Sequence, residues 1–174
     1  MSKTVIIQGS SRSKGNTHTI ANIIKKQIDC DLIDLSTKTI HQYSYDHQHQ
    51  TDDFLPLMRQ IIEYDLIIFA TPVYWYSMSG ILKAFFDRIS DCLQIEKELG
   101  RKLRGRQMAA ICCGSDKDEI EGYFIPFKKS AEYLGMSYLG DLHTWIEGNE
   151  PLEVVVDAVN VFAGRLVLNT VSYE

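Results

Sequence analysis

At 174 residues, with 45% hydrophobic and 24% charged side chains, the chain has the size and composition of one domain, residues 1–174, with its own core. A net charge of −5 disfavours nucleic acid or anionic membranes as partners, and no apolar run approaches the roughly 18 residues of a membrane span. Met1-Ser2-Lys3-Thr4 leads straight into the first strand, which leaves no room for a signal peptide and makes a cytoplasmic location the expectation.

The first strand, about residues 3–8, runs into Gly9-Ser10-Ser11-Arg12-Ser13-Lys14-Gly15-Asn16-Thr17. A helix follows over about 17–28, with Ile20, Ile23, Ile24 and Ile28 on one face. Hydroxyls, glycines, an arginine and a helix N-terminus together suit a phosphate group, because backbone N–H groups and the helix dipole attract an anion. Ser10, Arg12, Asn16 and Thr17 are the candidate ligands. Hydroxyls and amides donate to a phosphate without burying several full charges, and Arg12 adds a charge-assisted contact. Asn16 or Thr17 can cap the helix at the same time. The spacing fits neither a Walker A loop, since Asn16-Thr17 follows Gly15, nor the dinucleotide fingerprint, since serine replaces its second glycine. Asp34, closing the second strand at about 31–35, therefore reads as a strand-end or capping residue rather than a ribose ligand.

Residues 36–51 are polar and long for a strand-to-helix connection, with His41, Tyr43, Tyr45, His47 and His49. His47-x-His49 with Asp46 and Asp52 offers metal-ligand types but no second matched pair, so no metal is expected. The second helix, about 52–63, has Asp52 and Asp53 at its positive end and Phe54, Met58, Ile61 and Ile62 facing inward.

The third strand, about 65–70, is a continuous apolar run of the kind a buried parallel strand needs, and Thr71-Pro72 ends it. Tyr74, Trp75 and Tyr76 follow in a loop where open α/β sheets bind ligands. Three adjacent aromatics cannot all enter the core, and they suggest a platform for a flat ring. Pro72, Val73, Tyr74 and Trp75 are the candidate ring-binding residues, with Ser77 a lesser one. A third helix is expected over about 79–91, and a mixed-charge irregular stretch over 92–106. The fourth strand, about 107–113, carries Cys112 and Cys113 as small buried residues; Gly114 and Ser115 follow it at the same sheet edge. Asp116 and Asp118 would start a fourth helix, about 120–134. A fifth strand spans about 137–145 and a fifth helix about 151–169, the latter apolar nearly all round, from a subunit contact or from overlap with the core. Cys30, Cys92, Cys112 and Cys113 form no C-x-x-C pair and no disulfide framework. The alternation of strands and helices implies a parallel sheet covered on both faces.

A monophosphate loop and an aromatic loop on one sheet edge point to flavin mononucleotide (FMN). GSSRSKGNT at 9–17, DD at 52–53, TPVYWYSMSG at 71–80, LKAFFDR at 82–88, CCGSD at 112–116 and LGMSYLG at 134–140 resemble the flavodoxin-like NAD(P)H-dependent oxidoreductases. That group includes FMN reductases, quinone reductases and iron–sulfur flavoproteins. The resemblance implies an α/β, flavodoxin-like three-layer sandwich with a five-stranded parallel sheet in the order 2-1-3-4-5. It implies FMN as cofactor, NAD(P)H as co-substrate and a small acceptor: a quinone, an azo or nitro compound, or free flavin. It also implies a homodimer, or a higher homo-oligomer, with flavin sites near the subunit interface, and chemistry carried by the flavin rather than by a protein acid or base. The iron–sulfur relatives carry four cysteines ahead of the DD pair; His41-Gln42-Tyr43-Ser44-Tyr45-Asp46-His47 has none, and resembles a cluster-less member. The alternative is a flavodoxin-type single-electron carrier without its own NAD(P)H turnover.

Overall fold

The structure, a computed structural model, describes residues 2–171. Five parallel strands, β1 (Thr4–Gln8), β2 (Cys30–Asp34), β3 (Leu66–Pro72), β4 (Gln107–Gly114) and β5 (Ser137–Trp145), form one sheet in the order β2-β1-β3-β4-β5. Six helices accompany them: α1 (Asn16–Gln27), α2 (Phe54–Ile61), α3 (Gly80–Gln94), α4 (Lys97–Arg101), α5 (Ile125–Leu134) and α6 (Glu153–Val171). The strand order is the one the resemblance implied.

The period-two geometry of the strands builds a core on each face. Val5, Ile7, Ile67, Phe69, Met108 and Cys112 point toward α2, α3 and α5, while Ile6, Ile68, Ala109, Ile111 and Cys113 point toward α1 and α6. Cys112 and Cys113 thus face opposite layers, and burial pushes their thiols up to about 12 and about 11. The central strands are buried on both faces, as their unbroken apolar runs require; β2 and β5, at the edges, are mostly half-buried. Among the described residues no helix is long and apolar enough to cross a membrane.

Several expected boundaries move. β3 runs on to Pro72, which pairs with Cys113 as the last strand residue, where a missing N–H costs least. The fourth βα unit's helix, α5, begins only at Ile125: Gly122 turns the chain at φ +78°, and Pro126 fits a first helical turn. Asp116 and Asp118 are therefore loop residues, not helix starters. The stretch 92–106 contains the end of α3 and the short α4. Along α6, Val155, Val159, Phe162, Ala163 and Leu166 are buried, whereas Val154, Val161, Val167 and Leu168 are exposed.

Asp52 precedes α2, and its carboxylate is engaged by a buried arginine. Arg88, 1% exposed, donates from Nη1 to Asp52 Oδ2 at 2.5 Å and from Nε to Asp91 Oδ2 at 2.6 Å. It also reaches the backbone carbonyls of His41 (3.2 Å) and His49 (2.9 Å), and lies 4.9 Å from the centre of the Phe54 ring. His47 Nδ1 meets Asp91 Oδ1 at 2.7 Å, and the rings of His41 and His49 stack at 4.5 Å. The histidine-rich segment is thereby strapped onto α3. Burial alone would raise the Asp52 carboxyl, but the hydrogen bonds from Arg88, His41 N and Phe54 N hold it below the usual carboxylate range. Among the described residues no group of three or more His, Cys, Asp or Glu is placed to hold a metal ion.

Candidate functional site

β1, β3 and β4 are adjacent, so the loops that follow them emerge side by side, within about 10 Å at a strand spacing of ~4.8 Å. Gly9 N donates to Ala70 O at 2.8 Å, and Gly9 O accepts from Ser79 Oγ at 2.6 Å. Ser79 Oγ also accepts from Leu82 N at 3.1 Å, capping α3. A Cβ on Gly9 would stand 2.6 Å from Leu82 Cβ, so only glycine lets α3 pack this close to the first loop.

The first loop is held from within. Gln8 Nε2 donates to Ser13 O at 3.1 Å, and Gln8 Oε1 pairs with His18 Nδ1 at 3.0 Å. Arg12 N donates to Ser10 Oγ at 3.2 Å, which spends a lone pair and not the hydroxyl proton. The N-cap of α1 is Gly15, with no side-chain cap and no acidic residue in the first turn. The capping role open to Asn16 or Thr17 is thus unfilled, and the first-turn N–H groups have no intrahelical partners. Ser10 and Thr17 are buried; Arg12 and Asn16 are exposed at the rim.

The aromatic loop is a two-residue hairpin turn. Tyr74 N donates to Ser77 O at 2.9 Å, and Ser77 N returns a bond to Tyr74 O at 3.1 Å. Trp75 (φ 48°) and Tyr76 (φ 62°) occupy the left-handed region, which such turns ordinarily fill with Asn or Gly. Bulky residues held there store strain of roughly 1–3 kcal/mol each, a pattern that clusters at functional sites. Trp75 is 93% exposed and Tyr76 74%; none of the three aromatics enters the core. The Tyr74 hydroxyl lies 3.1 Å from Ser11 Oγ and joins the hairpin to the first loop. Pro72 is buried and Val73 half-buried, with Val73 N donating to Cys113 O at 3.0 Å; Ser77 is exposed on the hairpin.

Gly114 and Ser115 open the third loop. Ser115 Oγ donates to Asp116 Oδ2 at 3.0 Å, so this hydroxyl proton is already engaged inside the loop. Gly114 abuts His143 of β5: a Cβ on it would come within 3.1 Å of His143 Cε1. The sequence reading missed His143 and Ser79. For Ser79 a signal existed in the serine directly before Gly80 and an apolar-periodic run, the mark of an N-cap. For His143, a lone histidine on an edge strand, none did.

These features suit FMN. An uncapped helix N-terminus beside Ser10, Thr17 and Arg12 offers the donors a phosphate needs, and the hairpin and the loop after β4 emerge at the same sheet edge. Comparison with known proteins agrees. Residues 2–148 match the model of the NADPH-dependent FMN reductase family. A Bacillus subtilis (strain 168) protein that carries the name NAD(P)H-dependent FMN-containing oxidoreductase YwqN is 31% identical over 166 residues, covering 89% of this chain and 90% of that one. The NADPH azoreductase of Bacillus sp. (strain OY1-2) is 28% identical over 169 residues, 94% of this chain and 82% of the relative. The solved structure of the Trp repressor binding protein from Bacillus subtilis superposes with a TM-score of 0.73 at 27% identity, covering 92% of this chain and 97% of that one. The family match over residues 2–148, and a 31% identical relative along nearly the whole length, place the chain in the NADPH-dependent FMN reductase family, as an NAD(P)H-dependent flavin oxidoreductase.

Proposed function

We propose that residues 1–174 act as one domain, that FMN lies along the carboxyl edge of β1, β3 and β4, and that the enzyme reduces a flat small molecule, a quinone or an azo compound. In this reading Ser10, Arg12, Asn16 and Thr17, with the α1 N-terminus, hold the phosphate. Pro72, Val73, Tyr74, Trp75 and Ser77 line the ring on one side, and Gly114 and Ser115 on the other. The observation that supports it is the 3.1 Å contact between Ser11 and Tyr74, which joins the hydroxyl-rich loop to the aromatic hairpin.

Held there, FMN would supply the hydride-accepting and electron-donating chemistry that links NAD(P)H to the acceptor. The chain's own groups bind and orient. The α1 N–H groups and Arg12 balance the phosphate charge. Trp75, exposed at the hairpin tip, would stand at the mouth of the site and shape access for the two planar substrates. The similarity to an NADPH azoreductase supports the acceptor class. The exposed Trp75 and Tyr76 at the hairpin tip support a homodimer that covers them, and a cytoplasmic setting supplies the NAD(P)H.

The test loads the protein with FMN and follows NADPH oxidation with a benzoquinone and with an azo dye. Steady oxidation that depends on either acceptor is expected. Protein that binds FMN yet oxidises NADPH no faster than free FMN would leave only the electron-carrier reading.

A further inference from the structure

Beneath the third loop lies a buried pair the reaction does not use. Cys112 Sγ stands 3.2 Å from His143 Nδ1, and the other ring nitrogen, Nε2, lies 3.0 Å from the backbone oxygen of Asp116. A carbonyl oxygen can only accept, so Nε2 carries a hydrogen. Burial pushes the Cys112 thiol up to about 12, which keeps its S–H at neutral pH and leaves it to donate to Nδ1. Both ends of the imidazole are therefore assigned by their partners: thiol to Nδ1, Nε2–H to Asp116 O.

The ring itself is fixed. It stacks on Trp145, with centroids 6.3 Å apart and planes 19° from parallel, and the bare Cα of Gly114 closes over its Cε1 edge. Thr144 Oγ1, next in the strand, donates to Cys112 O at 2.7 Å and ties β5 to β4 at the same level. The Ser115 and Asp118 contacts to Asp116 stay inside the loop. Gly114 itself ends β4 and pairs with Trp145; beyond it the loop is tied to the sheet by His143, while Ile146 N makes a long contact to Gly114 O at 3.5 Å.

We propose that His143 is a positioning residue for the flavin: the bond from its Nε2–H to the Asp116 carbonyl holds the loop after β4 in the shape that presents Ser115, beside the strand-end Gly114, to the ring. This rests on the placement of that loop at the flavin. The histidine touches no reacting atom; it acts through the main chain. Leucine at 143 would keep the bulk and lose the donor, while glutamine would restore an N–H at a similar reach.

The test compares wild type, His143→Leu and His143→Gln as FMN-loaded proteins, with the apoprotein melts as a control. His143→Leu is expected to weaken FMN and riboflavin alike by roughly three- to tenfold, the size of one lost neutral hydrogen bond. It should also displace the visible flavin band and the flavin potential, and His143→Gln should restore both. Wild-type affinity and potential in His143→Leu would overturn the proposal. So would a lowered melting point alone, unrescued by glutamine, which marks a packing role. Amide NMR shifts of Gly114 and Ser115 separate the two layers of argument. If FMN leaves them unmoved in the wild type, the loop is not at the ring and the site reading falls as well. If they move identically in wild type and His143→Leu, only the role of His143 falls.

Discussion

The loop after β1 and the segment after β2 leave neighbouring strands at the same sheet edge, yet they spend their polar groups differently. Between residues 9 and 17 the internal bonds shape the loop, while the first-turn N–H groups of α1 keep no capping side chain and no acidic neighbour. Between 38 and 53 the groups close on the protein itself: Arg88 takes the carbonyls of His41 and His49 and the Asp52 carboxylate, and Asp53 Oδ2 accepts from Thr39 N at 2.7 Å. Hydroxyl-rich and histidine-rich segments alike look like ligand sites by composition. Unspent donors distinguish a binding loop from a strap.

The largest effect should come from breaking the strap. Arg88→Met leaves Asp52 and Asp91 buried without their cation, which costs about 3–5 kcal/mol of stability. Urea unfolding measures it, and FMN affinity in the fraction still folded should change little. An unchanged midpoint would mean the strap contributes little to the fold.

The loop after β1, proposed to hold the phosphate, should respond in the opposite way. Arg12 is exposed, so Arg12→Ala is expected to leave the melting point nearly unchanged. It should weaken FMN by about ten- to a hundredfold, the worth of a charge-assisted contact of roughly 1.5–3 kcal/mol. Riboflavin, which has no phosphate, should bind as before. Fluorescence titration with both ligands decides it, and equal losses would remove the phosphate from this loop.

The smallest effect sharpens the contrast at the hairpin. Trp75→Gly relieves a positive φ, so the apoprotein should gain a few tenths to about 1 kcal/mol, while quinone turnover by the holoenzyme changes. A loss of several kcal/mol with normal kinetics would make Trp75 a packing residue and move the ring contact elsewhere.

Much of the fold is legible in the sequence. Unbroken apolar runs at Val5–Ile7 and Leu66–Ala70 announce central parallel strands, and Ile20 and Ile24 do face the core as their helical spacing predicts. The boundaries near residues 92–124 were less legible. There Gly122 and Pro126 outweigh the acidic residues that look like a helix start, and α4 is too short for periodicity to reveal.

By itself the sequence determined the strand–helix alternation, because periodicity is a local property of adjacent residues. It also marked the hydroxyl-rich loop and the aromatic run, because proline, glycine and serine restrict the backbone where they stand. Only the tertiary structure decided which groups remain available. Arg88 meets Asp52 at a sequence separation of 36, Ser11 meets Tyr74 at 63, and Cys112 meets His143 at 31. Such pairings depend on strand order and register, which bring distant segments together and leave no periodic trace in either one.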